Sequence, residues 1–242
     1  MTNTKPDQTQ IRILALDTAT SIVSVALAHD DTIDVEINRE ANRHTERLIP
    51  MVDSAMRAVG LTIQDIDAVA FGAGPGAFTG LRAACGTAQG LAWAADIPVI
   101  AVGNLQAAAS HMHNQGVRGR VLVANDARMN ECYTAVFDVT DSEIVEVSSA
   151  SLVAPSMIGE TIQTSGAAVV TGSALDVYRD AIEIPEGVAV FDAFETTAED
   201  IARVALEKFQ KHDVTTPQLA APIYVRNRVA LTIDERKAGE KL

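Results

Sequence analysis

Residues 11–37 read "IRILALDTATSIVSVALAHDDTIDVEI". Apolar runs at 11–16, 21–28 and 32–37 are rich in Ile, Val, Leu and Ala, and polar turn formers separate them. Each run is too short for a stable helix and has the length of a strand, so the stretch predicts a three-strand meander. The same arrangement recurs farther on. "RVLVAN" (120–125), "ECYTAVFD" (131–138) and "EIVEVSS" (143–149) predict a second meander.

The elements after each meander repeat as well. The first is succeeded by a helix over 45–59, strand "DAVAF" (67–71), a helix over 79–95, strand "PVIAV" (98–102) and a helix over 104–113. After the second come a helix over 155–163, strand "AAVVTG" (167–172), a short helix over 174–180, strand "VAVF" (188–191) and a helix over 197–210. In the 45–59 helix Leu48, Ile49, Val52, Ala55, Met56 and Val59 form one apolar stripe, Pro50 falls in the first turns, and Gly60 supplies the stop. The order βββαβα thus occurs twice without any residue-level repeat. Two such α/β units side by side describe the duplicated actin-like, Hsp70-like (ribonuclease H-like) architecture of sugar kinases, which holds nucleotide between its halves. The expected division is 1–103 for the first unit and 104–217 for the second. Residues 218–231 pack back on the first in this reading, and 232–242 form a tail.

Composition narrows the function classes. With 242 residues, 48% hydrophobic and 21% charged, the chain can bury a substantial core. Its net charge of −13 argues against unaided nucleic-acid binding through a broad basic surface. Cys85 and Cys132 have neither metal-site spacing nor a disulfide pattern, and both read as small buried hydrophobes in a reducing cytoplasm. Residues 1–10 lack the apolar core of a signal peptide, and no apolar run approaches the ~18 residues of a membrane span.

The candidate chemistry sits where strands end. Asp17 and Asp126 each follow the first strand of a meander, and Thr18, Thr20 and Ser21 place hydroxyls beside the first acid. Such a set suits a magnesium-bound phosphate, and it equally suits turn capping by carboxylates. "FGAGPGAFTGLR" (71–82) then offers a glycine-rich strand-to-helix loop. It has no lysine, which removes a Walker A reading. Gly72, Gly74 and Ala77 match G-x-G-x-x-A, but the acid that should end the next strand is missing. The remaining reading is steric: a turn that launches a helix, with an anion over 79–81 as the lesser alternative. Within that helix Gly86 and Gly90 cost about 1 kcal/mol each relative to alanine, which implies a packing role. His29, His44 and His212 read as solvated or structural. His111 and His113 are two apart and face different sides of a helix.

Taken in order, "ILALDTATSIVSVAL", "HTERLIPMVDSAM", "GPGAFTGLRAACGTAQGLA", "NDARMNECY", "TAEDIARVA" and "PIYVRNRVA" resemble successive landmarks of the bacterial TsaB (YeaZ) family across 11–230. The resemblance implies an actin-like fold and a non-catalytic subunit. Such a subunit binds the paralogue TsaD and, with the ATPase TsaE, supports N6-threonylcarbamoyladenosine formation at position 37 of tRNAs reading codons that begin with A. TsaD carries an H-x-x-x-H metal pair where this chain has Asn104 and Ala108, which are poor ligands. The resemblance further implies a heterodimer through the first unit's two helices, carried here by Leu48, Ile49, Val52, Met56, Arg82, Ala83, Gly86 and Gly90. A homodimer of the chain alone is a further expectation, as are ATP and magnesium at the level of the complex, through TsaE, and tRNA contact through the complex. Arg226 and Arg228 read as solvated, with partner or tRNA contact as the alternative. Two competing functions remain open on the residues alone: an ATP-dependent phosphotransferase or ATPase built on Asp17 and Asp126, and a regulatory nucleotide-binding module.

Overall fold

The computed structural model describes residues 11–29, 32–39 and 44–226. The first meander is β1 (Ile13–Asp17), β2 (Val23–His29) and β3 (Thr32–Asn38). It is followed by α1 (His44–Ala58), β4 (Ala68–Gly74), α2 (Phe78–Ala95), β5 (Val99–Gly103) and α3 (Asn104–Asn114). The second half comprises β6 (Gly119–Asp126), β7 (Cys132–Val139), β8 (Ile144–Val153), α4 (Ile158–Ser165), β9 (Val169–Thr171), α5 (Ala174–Val177), β10 (Ala189–Val190) and α6 (Ala198–Gln210).

The strands form two sheets, ordered β3-β2-β1-β4-β5 and β10-β9-β6-β7-β8. Written from the meander inward, the second order is that of the first with each strand replaced by its counterpart. In both, the meander pairs are antiparallel and the later two strands join parallel through helical crossovers. The fold is therefore the duplicated actin-like α/β architecture.

Strand alternation explains the layers. Leu14, Leu16, Val25, Leu27, Val69 and Phe71 point to the face covered by α1 and α2. Their neighbours Ile13, Ala15, Ala26, Ala28, Ala68 and Ala70 point to the opposite face, where α6 lies. The element order groups 198–210 with the second unit, yet its buried side, including Ile201, Ala202, Val204 and Ala205, closes the first sheet. The alanines on that face let the helix approach closely. Complete burial of Ile201 stabilises this layer by about 2–3 kcal/mol. A capping box of Thr197 and Asp200 starts α6, and Ser24 on β2 accepts a further bond from the Ala198 N–H at 2.8 Å. In the second sheet α3 covers one face with Leu105, Ala109 and Met112, and α4 and α5 cover the other.

Helix α1 departs from the expected stripe. Leu48, Met51, Val52 and Met56 are buried, whereas Ile49 is 52% exposed. Positions 48, 51, 52 and 56 share one side of the helix, and 49 is turned roughly 100° away from 48. Pro50 lies beyond the first turn and is exposed. Among the described residues no helix is long and apolar enough to cross a membrane.

Candidate functional site

The ends of β1 and β4 and the start of α2 and α3 meet around Asp17. This carboxylate is 1% exposed. Its Oδ1 accepts the Ala19 N–H at 2.9 Å, and the Asn104 amide donates toward both oxygens at 3.2 and 3.3 Å. Asn104 Oδ1 in turn accepts the Gly74 N–H at 2.8 Å, so one buried amide ties β1, β4 and α3 together. Burial raises the Asp17 pKa to about 6; the bonds from Ala19 and Asn104 act against it, and the Asp200 charge adds to it.

The glycine loop is fitted to the turn that follows Asp17. An added Cβ at Gly76 would lie 2.6 Å from the Ala19 carbonyl oxygen, and one at Gly80 would lie 2.8 Å from the Thr18 carbonyl carbon. The Thr18 hydroxyl donates to the Gly80 carbonyl at 2.6 Å. Gly74 has φ of +117°, and a Cβ there would meet the Ile223 carbonyl oxygen at 2.7 Å. These glycines let two turns and the C-terminal segment share one small space. Thr20 Oγ1 accepts the Ile22 N–H at 3.4 Å, and Ser21 donates to Glu195. Of the hydroxyls beside Asp17, Thr20 thus serves its own turn, while Thr18 and Ser21 reach Gly80 and Glu195 far along the chain.

Asp126 ends β6 as Asp17 ends β1, and it too is engaged. Its Oδ1 accepts the Arg128 N–H and the Tyr178 hydroxyl, both at 2.7 Å. Burial, followed by the bond to Asp126, pushes the Tyr178 phenol up to about 12. For a magnesium-held phosphate, two acids with free lone pairs should face a common space. Here each carboxylate is engaged by the chain's own donors, Asp17 by Ala19 and Asn104 and Asp126 by Arg128 and Tyr178, so a phosphate-bound magnesium would have to compete with those bonds.

The interface candidates divide into two groups. Leu48, Val52 and Met56 belong to the chain's own core, and the expectation that they face a partner is corrected by that burial. Ile49, Arg82, Gly86 and Gly90 are exposed, and Ala83 is half-buried. Nothing lies within 4 Å of a Cβ built on Gly86 or Gly90, and Trp93 on the same side of α2 is 63% exposed. The opposite side of α2, with Ala84, Cys85, Ala88 and Ala92, packs on the sheet. Arg82 lies over the Phe78 ring at 3.9 Å, and its Nε donates to the Tyr224 hydroxyl at 3.1 Å.

Two arrangements were not legible as sites. His111 Nδ1 lies 3.0 Å from Asp200 Oδ1, and its ring stacks on Phe194, joining α3 to α6. That carboxylate raises the imidazole pKa. Arg226 is also not solvated: its guanidinium donates to Ala127 and Arg128 carbonyls and pairs with Glu131. Arg228 lies outside the described residues. Both cysteines are buried, burial raises both thiols, and Cys132 reaches about 11.

A family model described as "TsaD: tRNA N6-adenosine threonylcarbamoyltransferase" matches residues 37–222. The tRNA threonylcarbamoyladenosine biosynthesis protein TsaB of Escherichia coli K12 is 35% identical, covering 91% of this chain and 96% of that protein. Its Haemophilus influenzae namesake is 36% identical over 90% and 95%. A solved structure of YeaZ from Pseudomonas aeruginosa superposes with a TM-score of 0.79 at 31% identity, covering 88% of this chain and 99% of that one. The family model carries the transferase's description, whereas these near-full-length relatives carry the TsaB or YeaZ name. With near-complete coverage at this identity and the shared fold, the chain belongs to the TsaB (YeaZ) family.

Proposed function

We propose that this chain is a non-catalytic subunit of tRNA threonylcarbamoyladenosine biosynthesis that binds TsaD and, with TsaE, sustains modification of adenosine 37 in tRNAs reading codons that begin with A. The observation that carries the reading is the bare outer face of α2. Gly86 and Gly90, one turn apart, leave open space beside exposed Trp93, while the inner face of the same helix is fully engaged. Glycine in a helix interior is unfavourable, and two at this spacing allow a second helix to approach closely. Exposed Ile49 on neighbouring α1 adds apolar surface. In the absence of TsaD the same face serves a homodimer.

The non-catalytic assignment is supported at the head of α3. Asn104 is occupied by Asp17 and Gly74, and Ala108 is a buried core residue without a ligating atom. ATP and magnesium then enter the complex through TsaE, and tRNA through the assembled complex in the cytoplasm.

The test is reconstitution. Threonylcarbamoyl transfer to tRNA is measured with TsaD and TsaE, with and without this protein, and with Gly86→Leu. Transfer should depend on the wild-type chain, and the folded Gly86→Leu protein should bind TsaD at least about tenfold more weakly, equivalent to a loss of about 1.4 kcal/mol. Transfer that proceeds unchanged without this chain would overturn the proposal.

A further inference from the structure

The β6–β7 turn is unusual in its backbone. Arg128, Met129 and Asn130 have φ of 63°, 58° and 58°, three successive non-glycine residues in the left-handed region. Such residues persist only where surrounding contacts hold them. The turn's own contacts are the Ala127 N–H to Glu131 carbonyl bond, the Glu131 N–H to Arg128 carbonyl bond, and the Arg128 N–H to Asp126. To these the far end of the chain adds a guanidinium. Arg226 Nη2 donates to the Ala127 carbonyl at 3.1 Å and the Arg128 carbonyl at 3.4 Å, pairs with Glu131, and its Nη1 lies 3.2 Å from Met129 Sδ.

The segment that delivers Arg226 is anchored on the other half of the molecule. The Ile223 N–H donates to the Ala73 carbonyl at the end of β4 at 2.7 Å. The Tyr224 ring lies 5.7 Å from Phe78, and its hydroxyl accepts from Arg82, both in the first two turns of α2. Upstream, the Ala220 carbonyl accepts from Gln89 of α2 at 2.9 Å. A small cleft between the glycine loop and β7 is lined by this segment together with Pro75, Phe78 and Tyr133.

We propose that residues 220–226 form a clasp that holds the β6–β7 turn in its left-handed conformation and couples that turn to the N-terminal end of α2. Arg226 fits the task because its Nη2 reaches two carbonyls and a carboxylate while Nη1 of the same planar group meets the Met129 sulfur. Tyr224 transmits the link: its position is set by Phe78 and Arg82, and two residues later the chain reaches the turn. Any change at the exposed start of α2 that displaces Tyr224 loosens Arg226 and lets the turn relax. The coupling is a property of the isolated chain and does not depend on which partner uses α2.

Hydrogen exchange of the full-length protein tests it, read at the Ala127, Arg128 and Glu131 amides. Arg226→Ala should accelerate exchange there about tenfold or more, because charge-assisted bonds on the closed turn are lost. Tyr224→Ala, which leaves Arg226 intact, should accelerate the same amides about threefold or more, and Trp93→Ala, on α2 but off the clasp, should leave them unchanged. In a Met129→Gly, Asn130→Gly background, where positive φ is unfavourable only at Arg128, Arg226→Ala should have a smaller effect. Unchanged turn exchange in Arg226→Ala overturns the clasp. Turn exchange that responds to Arg226→Ala and not to Tyr224→Ala overturns the coupling to α2. An undiminished effect in the glycine background overturns the role assigned to backbone strain.

Discussion

One methyl group added at three glycines of α2 should change stability with opposite signs. At Gly80 the added Cβ would lie 2.8 Å from the Thr18 carbonyl carbon and would overlap the oxygen. Ordinary contact begins at 3.4 Å, so the turn after β1 would have to retreat by roughly 0.6 Å or more, although Thr18 is 1% exposed and bonded to Gly80. Overpacking against backbone costs up to about 3 kcal/mol, and alanine's better helix propensity returns about 1. The net loss is about 2 kcal/mol, or about 4–8 °C in Tm for a chain of this size. At Gly86 and Gly90 nothing lies within 4 Å, so only the propensity gain remains, worth about 1 kcal/mol and about 2–4 °C each. Scanning calorimetry of the three single variants in one buffer is the assay. Gly86→Ala carries a second expectation: the methyl that stabilises the chain should weaken TsaD binding, since it stands on the face proposed for that partner. A Gly80→Ala protein that melts with the wild type, or a Gly86→Ala protein that melts lower, would refute the packing assigned to α2.

Three further predictions concern the buried polar groups. Asp17 is raised from 3.8 to about 6 by burial, so the folded state holds a proton that the unfolded state releases, and stability from this group falls as pH rises from about 4 to about 6. Asp17→Asn removes that dependence, and its stability relative to wild type should improve by about 2 kcal/mol between pH 4 and pH 7 in urea titrations; a constant difference would contradict it. His111 is raised above 6.5, first by its bond to Asp200, so its stabilising contribution is complete below 6.5 and fades as pH rises through the folded value. The stability gap between wild type and His111→Gln should therefore close on going to alkaline pH, and a gap that widens there would reverse the assignment. Asn104→Ala leaves the Gly74 N–H without its acceptor and Asp17 with only the Ala19 N–H, and should cost about 2–4 kcal/mol by chemical denaturation. Near-neutral behaviour would mean that this amide does not tie β1, β4 and α3.

The elements and their doubling were legible in the order of residues alone. Runs within 11–37 and 120–149 have the length of strands, the 3.6-residue period marks α1, and the landmark motifs carry the family. Local information of this kind can be read from a sequence because it depends on neighbours within a few residues. What each face meets is settled only once the chain is folded. Leu48, Val52 and Met56 have the same apolar character whether a partner or the chain's own sheet covers them, and the sheet covers them. Helix α6 follows the second meander in sequence and closes the first sheet, because alanines at 15, 26, 28, 68 and 70 leave room for it there. Thr18 and Gly80 are 62 residues apart, Asp17 and Asn104 are 87 apart, and Arg226 and Glu131 are 95 apart. The glycines of 71–82 announce a close approach without naming its partner: a missing side chain records that space is needed, and the fold alone decides what fills it.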